Sequence, residues 1–159
     1  MTERRKLPDT RPALTHRFVV GGVKGYITVG FYDDGTVGEI FVRLAKAGST
    51  LSGLIDGWAV TTSLAVQHGV PLEVLINKLS YTRFEPAGFT GVEGIGYASS
   101  VFDYIARWLA LRFLSKEARL SMPPGDGPPC PHCGVAQVPD GAGWICSTCQ
   151  TSGKGPKGP

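Results

Sequence analysis

The residues of this chain best suited to chemistry are its four cysteines, which stand as two pairs: Cys130-Pro-His-Cys133 and, after a twelve-residue spacer, Cys146-Ser-Thr-Cys149. Two residues between paired cysteines let one tight turn present both sulfurs to one metal ion. Two such knuckles, joined by a short hairpin with its turn at Pro139-Asp-Gly141, offer four soft ligands at tetrahedral corners, the arrangement that suits zinc. Gly134 follows the first pair, where a knuckle often needs positive φ. A segment as small as 130–149 has almost no core of its own, so a metal would have to hold it together. A closed four-sulfur shell leaves no open coordination position, and a zinc ion there is structural. The alternative for the same residues is redox-active dithiols or one disulfide pair, and His132, inside the first knuckle, could replace one cysteine as ligand.

The rest of the chain offers no catalytic constellation. His16 and His68 are far apart in sequence, and His68 falls at a helix C-terminus, where the dipole favours a cation. Asp33 and Asp34 read as turn residues, and Glu39 as an outward, solvated position on a strand. Asp56, on the first helix, is assigned no role. Lys46, just ahead of Gly48-Ser49-Thr50, could meet an anion at a helix N-terminus, although ordinary capping accounts for the same residues. Arg83 stands in a glycine-rich stretch, 81–98, that reads as a long loop, and long loops inside compact domains are often functional. Lys46 is therefore a candidate anion contact, and the 81–98 loop a candidate functional segment.

The elements that must position these residues follow from periodicity. Tyr26–Tyr32 and Gly38–Leu44 are β-branched and aromatic, and Asp33-Asp34-Gly35-Thr36 between them is a hairpin signal. Phe18-Val-Val20 is a candidate third strand. Leu51, Leu54, Ile55, Trp58, Ala59, Thr62, Ala65 and Val66 repeat at helical spacing, with Ser49 as N-cap and Gly69 just past the end. Pro71 opens a second, short helix. Val101, Phe102, Ile105, Trp108, Leu109 and Phe113 make a third helix that is apolar over more than one face and hence central. The expected fold is α+β: a small antiparallel β-hairpin or sheet packed with about three helices, followed by a linker and a C-terminal zinc ribbon. The expected organisation is an extended arm at 1–17, an α+β domain at 18–120, a Pro/Gly linker at 121–129, the ribbon at 130–149 and a disordered tail at 150–159.

Composition narrows the function. The chain has 159 residues, 42% hydrophobic and 18% charged, with a formal net charge of +3. That charge is too small to imply nucleic-acid binding by itself. The basic residues Arg4, Arg5, Lys6, Lys154 and Lys157 have no aromatic residues interleaved among them in sequence, as single-strand binders require. Nucleic acid is therefore not an expected partner. Asp103, Arg107 and Arg112 interrupt the longest apolar stretch, so no membrane span is expected. The first residues carry no apolar signal core, and the paired C-x-x-C spacing makes the reducing cytosol the simplest compartment.

Several motifs occur in a fixed order: Arg4-Arg-Lys-Leu-Pro-Asp9, Thr15-His-Arg-Phe18, Gly25-Tyr-Ile-Thr-Val-Gly30, Gly38-Glu-Ile-Phe41, Ala45-Lys46 with Gly48-Ser-Thr50, Gly69-Val-Pro-Leu72, Arg83-Phe-Glu-Pro86 with Gly88-Phe-Thr90, and Asp103-Tyr-Ile with Arg107-Trp-Leu109. This string resembles the C-terminal TSCPD domain of adenosylcobalamin (vitamin B12)-dependent, class II ribonucleotide reductases, and the cysteine pairs resemble the zinc-ribbon tail of the same enzymes. The resemblance covers roughly residues 4–149. It implies a cytoplasmic role in making deoxyribonucleotides for DNA synthesis, as a component of the reductase that is not catalytic alone. In that family a thiyl-radical cysteine and an electron-donating cysteine pair sit in a large α/β barrel. This chain is too short for the barrel, and its four cysteines all lie in the ribbon. Adenosylcobalamin and substrate would bind a partner catalytic chain.

The resemblance thus implies a separately encoded C-terminal, accessory subunit. Its arm would be a docking segment that orders on binding. The Arg83–Thr90 loop and the Lys46 turn would be the contacts for a nucleotide effector or for the partner. Two departures matter: the tail Gln150–Pro159 lacks the additional cysteines that shuttle electrons in the family, and residues 1–129 contain no counterpart of the cysteine for which the TSCPD domain is named. The competing expectation is a stand-alone zinc-ribbon regulator that binds nucleic acid or protein.

Overall fold

A computed structural model describes residues 3–46, 48–120, 130–132, 137–140, 143–145 and 152–153. The chain divides into two compact units, Met1–Lys78 and Leu79–Pro159, with the boundary inside the segment 18–120.

The first unit is built on a three-stranded antiparallel sheet in the order β1-β2-β3, with β1 at Ala13–Val20, β2 at Val23–Phe31 and β3 at Val37–Leu44. The expected third strand exists and begins at Ala13, so residues 13–17 of the arm are strand. The alternation of side chains across β1 carries this segment. Phe18 and Val20 turn inward and are buried, while Thr15 and Arg17 face outward. Register pairs Arg17 with Tyr26 and Ile27 with Val42. Ile27, Val29, Ile40 and Val42 fill the inner face and are buried to 2% exposure or less.

Helix α1, Thr50–Gln67, starts where the sequence says it must: Ser49 is the N-cap, and its hydroxyl accepts from the Ser52 amide at 3.2 Å. It ends in a Schellman turn. Gly69, at φ 86°, donates to the Val66 carbonyl at 2.9 Å, and Val70 donates to the Ala65 carbonyl at 3.0 Å. The buried face of α1 differs from the expected apolar stripe. Ile55, Ala59, Thr62, Ser63 and Gln67 are buried, whereas Leu54 is exposed and Trp58 only half-buried.

Two polar residues belong to that face because β3 is an edge strand whose free backbone groups need partners. The Ser63 hydroxyl accepts from the Ile40 amide at 2.8 Å and donates to the Ile40 carbonyl at 3.0 Å, and the Gln67 amide donates to the Gly38 carbonyl at 2.9 Å. Helix α2, Leu72–Leu79, follows Pro71 as expected and buries Ile76.

The arm ahead of β1 is held by its own unit. The Arg5 amide donates to the Gln67 carbonyl at 2.9 Å, the Arg4 Nε to Gln67 Oε1 at 2.7 Å, and the Tyr32 hydroxyl to the Arg5 carbonyl at 2.6 Å. Leu7 lies so close over Gly38 that a Cβ there would meet its Cδ2 at 2.6 Å. The expectation of an arm that waits for a partner before ordering is corrected here. Its backbone and guanidinium donors find acceptors on α1 and in the β2–β3 turn.

The second unit contains a two-stranded ladder of β4, Gly88–Phe89, and β5, Tyr97–Ala98, then helix α3 at Val101–Phe113 and a short helix α4 at Lys116–Leu120. α3 is buried over most of its circumference, Tyr104, Ile105 and Leu109 almost completely. Burial pushes the Tyr104 hydroxyl up to about 12.

Beyond it, β6 at Val138–Asp140, β7 at Gly143–Ile145 and β8 at Ser152–Gly153 form a small antiparallel sheet in that order. A hairpin therefore lies between the cysteine pairs. Pro139 and Asp140, expected in its turn, stand in β6, an edge strand, where proline sacrifices no ladder bond. Two residues of the tail expected to be disordered, Ser152 and Gly153, pair with β7. Among the described residues no helix is long and apolar enough to cross a membrane.

Candidate functional site

The loop that carries Arg83 is braced from beneath by two charged residues of α3. Ser100 caps the helix by accepting from the Asp103 amide at 3.0 Å, and its hydroxyl donates to the Thr82 carbonyl at 2.8 Å. Capping aims the Asp103 carboxylate back across the helix start. There Oδ1 accepts from the Tyr81 amide at 2.6 Å and Oδ2 from the Ser99 amide at 2.8 Å. One turn on, Arg107 approaches Oδ2 at 3.5 Å and donates to the carbonyls of Tyr97 and Ile95, each at 2.8 Å. Its guanidinium carbon lies 5.2 Å from the centre of the Tyr81 ring.

Two side chains thus fix both ends of the loop, at Tyr81 and at 95–99. This explains how Tyr81 keeps φ at 64°. Burial pushes the Asp103 carboxyl up, and Arg107 with the Ser99 and Tyr81 amides pulls against it. The carboxylate with two backbone donors and an arginine partner is a satisfied structural ion, not a catalytic acid.

Within this frame the long loop carries its own hydrogen bonds. Thr90 donates from its amide to the Gly96 carbonyl at 2.9 Å, and Phe89 meets Tyr97 edge to face at 5.3 Å. Phe84 meets Phe102 of α3 at 5.3 Å in the same way, and the Glu85–Pro86 peptide is cis. Arg83 itself is exposed, as are Phe84 and Phe89. Burial, then Glu85, raise the Tyr97 hydroxyl, while Arg83 lowers it. The braced loop presents a cation and two rings to solvent, which suits an anionic or aromatic contact.

Lys46 belongs to the first unit and Arg83 to the second. Lys46 is exposed, and its carbonyl accepts from the Ser49 hydroxyl at 3.4 Å. Gly48-Ser49-Thr50 does ordinary capping work there. Of the proposed zinc ligands, Cys130 is buried, and Cys133, Cys146 and Cys149 lie outside the described residues. The donor chemistry fits zinc, since four thiols are the soft set it prefers. His132 is exposed. Among the described residues no group of three or more His, Cys, Asp or Glu could hold a metal. Reasoning from sequence missed Asp103 and Arg107 as the loop's anchors. The signal was available, since two charged residues at i, i+4 interrupt an otherwise apolar helix.

Comparison with known proteins now places the chain. Residues 2–113 match the TSCPD domain family. The chain is 54% identical over 112 residues to the vitamin B12-dependent ribonucleotide reductase of Rhodopirellula baltica, a match covering 70% of this chain and 11% of that protein. It is 44% identical over 119 residues to that of Streptantibioticus cattleyicolor, covering 75% of this chain and 20% of the relative. With that of Bradyrhizobium diazoefficiens it shares 45% over 117 residues, covering 73% of this chain and 9% of the relative. The chain therefore spans only about a tenth to a fifth of the length of the curated relatives it matches. The matching part is the C-terminal TSCPD region of those reductases. No solved structure matches. Arm, sheet, α1, braced loop and α3 all fall inside the matched span, and the chain belongs to the TSCPD domain family.

Proposed function

We propose that this chain is the C-terminal, accessory portion of a cobalamin-dependent ribonucleotide reductase, acting on a catalytic chain supplied separately, and that it supports deoxyribonucleotide synthesis without performing the reduction itself. The observation that carries the link to the reductase is the 54% identity over 112 residues with a vitamin B12-dependent ribonucleotide reductase, within the C-terminal TSCPD region of those enzymes. Adenosylcobalamin and the ribonucleotide belong to the catalytic chain.

This chain's own residues contribute shape. Asp103 and Arg107 hold the 81–98 loop so that Arg83, Phe84 and Phe89 face outward, and these are the proposed contacts to the catalytic chain or to an effector nucleotide. Lys46 is a second proposed contact. Cys130, Cys133, Cys146 and Cys149 would hold a zinc ion that closes the ribbon. The β6–β7 hairpin supports it, because its open end at the Val138–Ile145 pair lies one residue before Cys146. A zinc ion there would cross-link the chain.

Association tests the reading. The tagged chain should retain the cobalamin-dependent catalytic chain from the same source on an affinity column. Arg83→Glu should weaken that retention, because reversing one exposed charge leaves the fold intact. Failure of the two chains to associate at any salt concentration would remove the proposal.

A further inference from the structure

The outer face of the β1-β2-β3 sheet combines rings and cations in a way the linear sequence hides. Register places Arg17 and Arg43 on either side of Tyr26, and Thr15 and then Phe41 beside Thr28. Lys24 is two residues from Tyr26 on β2, hence on the same face. The Thr15 and Thr28 hydroxyls meet at 3.1 Å, which fixes that face as the outer one. Tyr26 is 49% exposed and Phe41 43% exposed. They sit on a cross-strand diagonal, about 7–8 Å apart, so each ring can carry its own base.

The charges are lopsided. The acid on this face, Glu39, is nearly buried and bound by Arg11, whose guanidinium that hydrogen bond raises further. Asp56, on α1, reaches Arg43 at 3.4 Å across an exposed pair, which is weak. Among the described residues Arg17 and Lys24 have no ion-pair partner.

We propose that this sheet face binds single-stranded nucleic acid, with bases stacked on Tyr26 and Phe41 and phosphates met by Arg17, Lys24 and Arg43. Charge complementarity selects the ligand class, since a net cationic face that also shows two rings matches a chain of phosphates and bases. Shape selects the polymer over a free nucleotide. The face is an open sheet, and a mononucleotide needs a concave site to be buried in, whereas a strand gathers several weak contacts along one surface. The cations and rings alternate here across strands, not along the chain, so a search for interleaving along the sequence does not see them. The inference does not depend on the reductase reading.

The test is fluorescence anisotropy of the full chain with a labelled oligothymidylate of about 12 nucleotides. Binding should appear at low salt and weaken as salt rises, because phosphate contacts release counterions. Tyr26→Leu and Phe41→Leu keep the apolar cover of the sheet and remove the stacking surface. Each should weaken binding about tenfold, and Arg17→Glu should weaken it and flatten the salt dependence. Binding that survives the Tyr26→Leu/Phe41→Leu double variant unchanged would overturn the proposal and assign it to the cationic tail. Absence of binding at low salt, equal binding of duplex, or binding of thymidine triphosphate as tight as the oligonucleotide would each overturn it as well.

Discussion

Asp103 Oδ2 and Arg107 Nη1 stand 3.5 Å apart, one turn apart on α3, and both side chains are almost wholly buried. Their other bonds run to the backbone of the loop, not to each other's neighbours on the helix. The pair is therefore a clamp that positions Arg83, and its removal should be felt in the loop first. Asp103→Asn turns an NH2 group toward either the Tyr81 or the Ser99 amide, donor against donor, and leaves Arg107 without its countercharge. It should cost about 3–5 kcal/mol in urea unfolding. Arg107→Met alone, which leaves the Tyr97 and Ile95 carbonyls without their donor, should also destabilise the loop. A cost below about 1 kcal/mol for Asp103→Asn alone would contradict the clamp.

The edge of β3 gives a second prediction. Ser63 satisfies both backbone groups of Ile40, and Gln67 satisfies Gly38 while receiving Arg4. Ser63→Ala should destabilise the first unit by about 1–3 kcal/mol. Gln67→Ala should also release the arm, so that trypsin cuts at Arg4 and Arg5 faster than in the parent chain. Unchanged cleavage would mean that the arm is held by other contacts.

Asp34 gives the pH dependence. The Thr36 hydroxyl and amide, and then the Arg5 guanidinium, hold its carboxyl down to about 2. A carboxyl lowered in the folded state adds stability above its unfolded value of about 3.9 and loses it as pH falls through the folded value. The Arg5–Asp34 tie should therefore persist at pH 4 and be lost near pH 2. An NMR titration of the Asp34 carboxyl should show this midpoint, and Thr36→Val should move it upward. A midpoint near 4 in the parent chain would refute the assignment.

The ribbon can be tested apart from the body. Cys130→Ser should abolish bound zinc, measured by metal analysis, while the melting of the first unit, which ends at Lys78, stays nearly unchanged. A large loss of stability in that unit would show that ribbon and body fold as one cooperative unit.

What the sequence made legible was whatever repeats with a period or ends in a cap. The hairpin at Asp33–Thr36, the Ser49 cap and the Gly69 stop all stand where they were expected, because each rests on local backbone chemistry. The arm was misread because its bonds to Gln67 and Tyr32 span long sequence separations that leave no periodic trace. Ser63 and Gln67 escaped notice because a polar residue on a buried helix face is explained only by the strand edge it serves. The same limit hid the row Arg17–Tyr26–Arg43, which exists only once the register is known.

On the proposed reading, this chain supports a reductase that it does not itself constitute. The most direct test of that reading is ribonucleotide reduction by the cobalamin-dependent catalytic chain from the same source, with adenosylcobalamin and reductant present, measured with and without this chain. Activity should rise when the chain is added, and Arg83→Glu should blunt the rise, while the chain alone shows none. Equal activity with and without it, over a range of concentrations, would contradict the claim and leave the family relationship as one of ancestry.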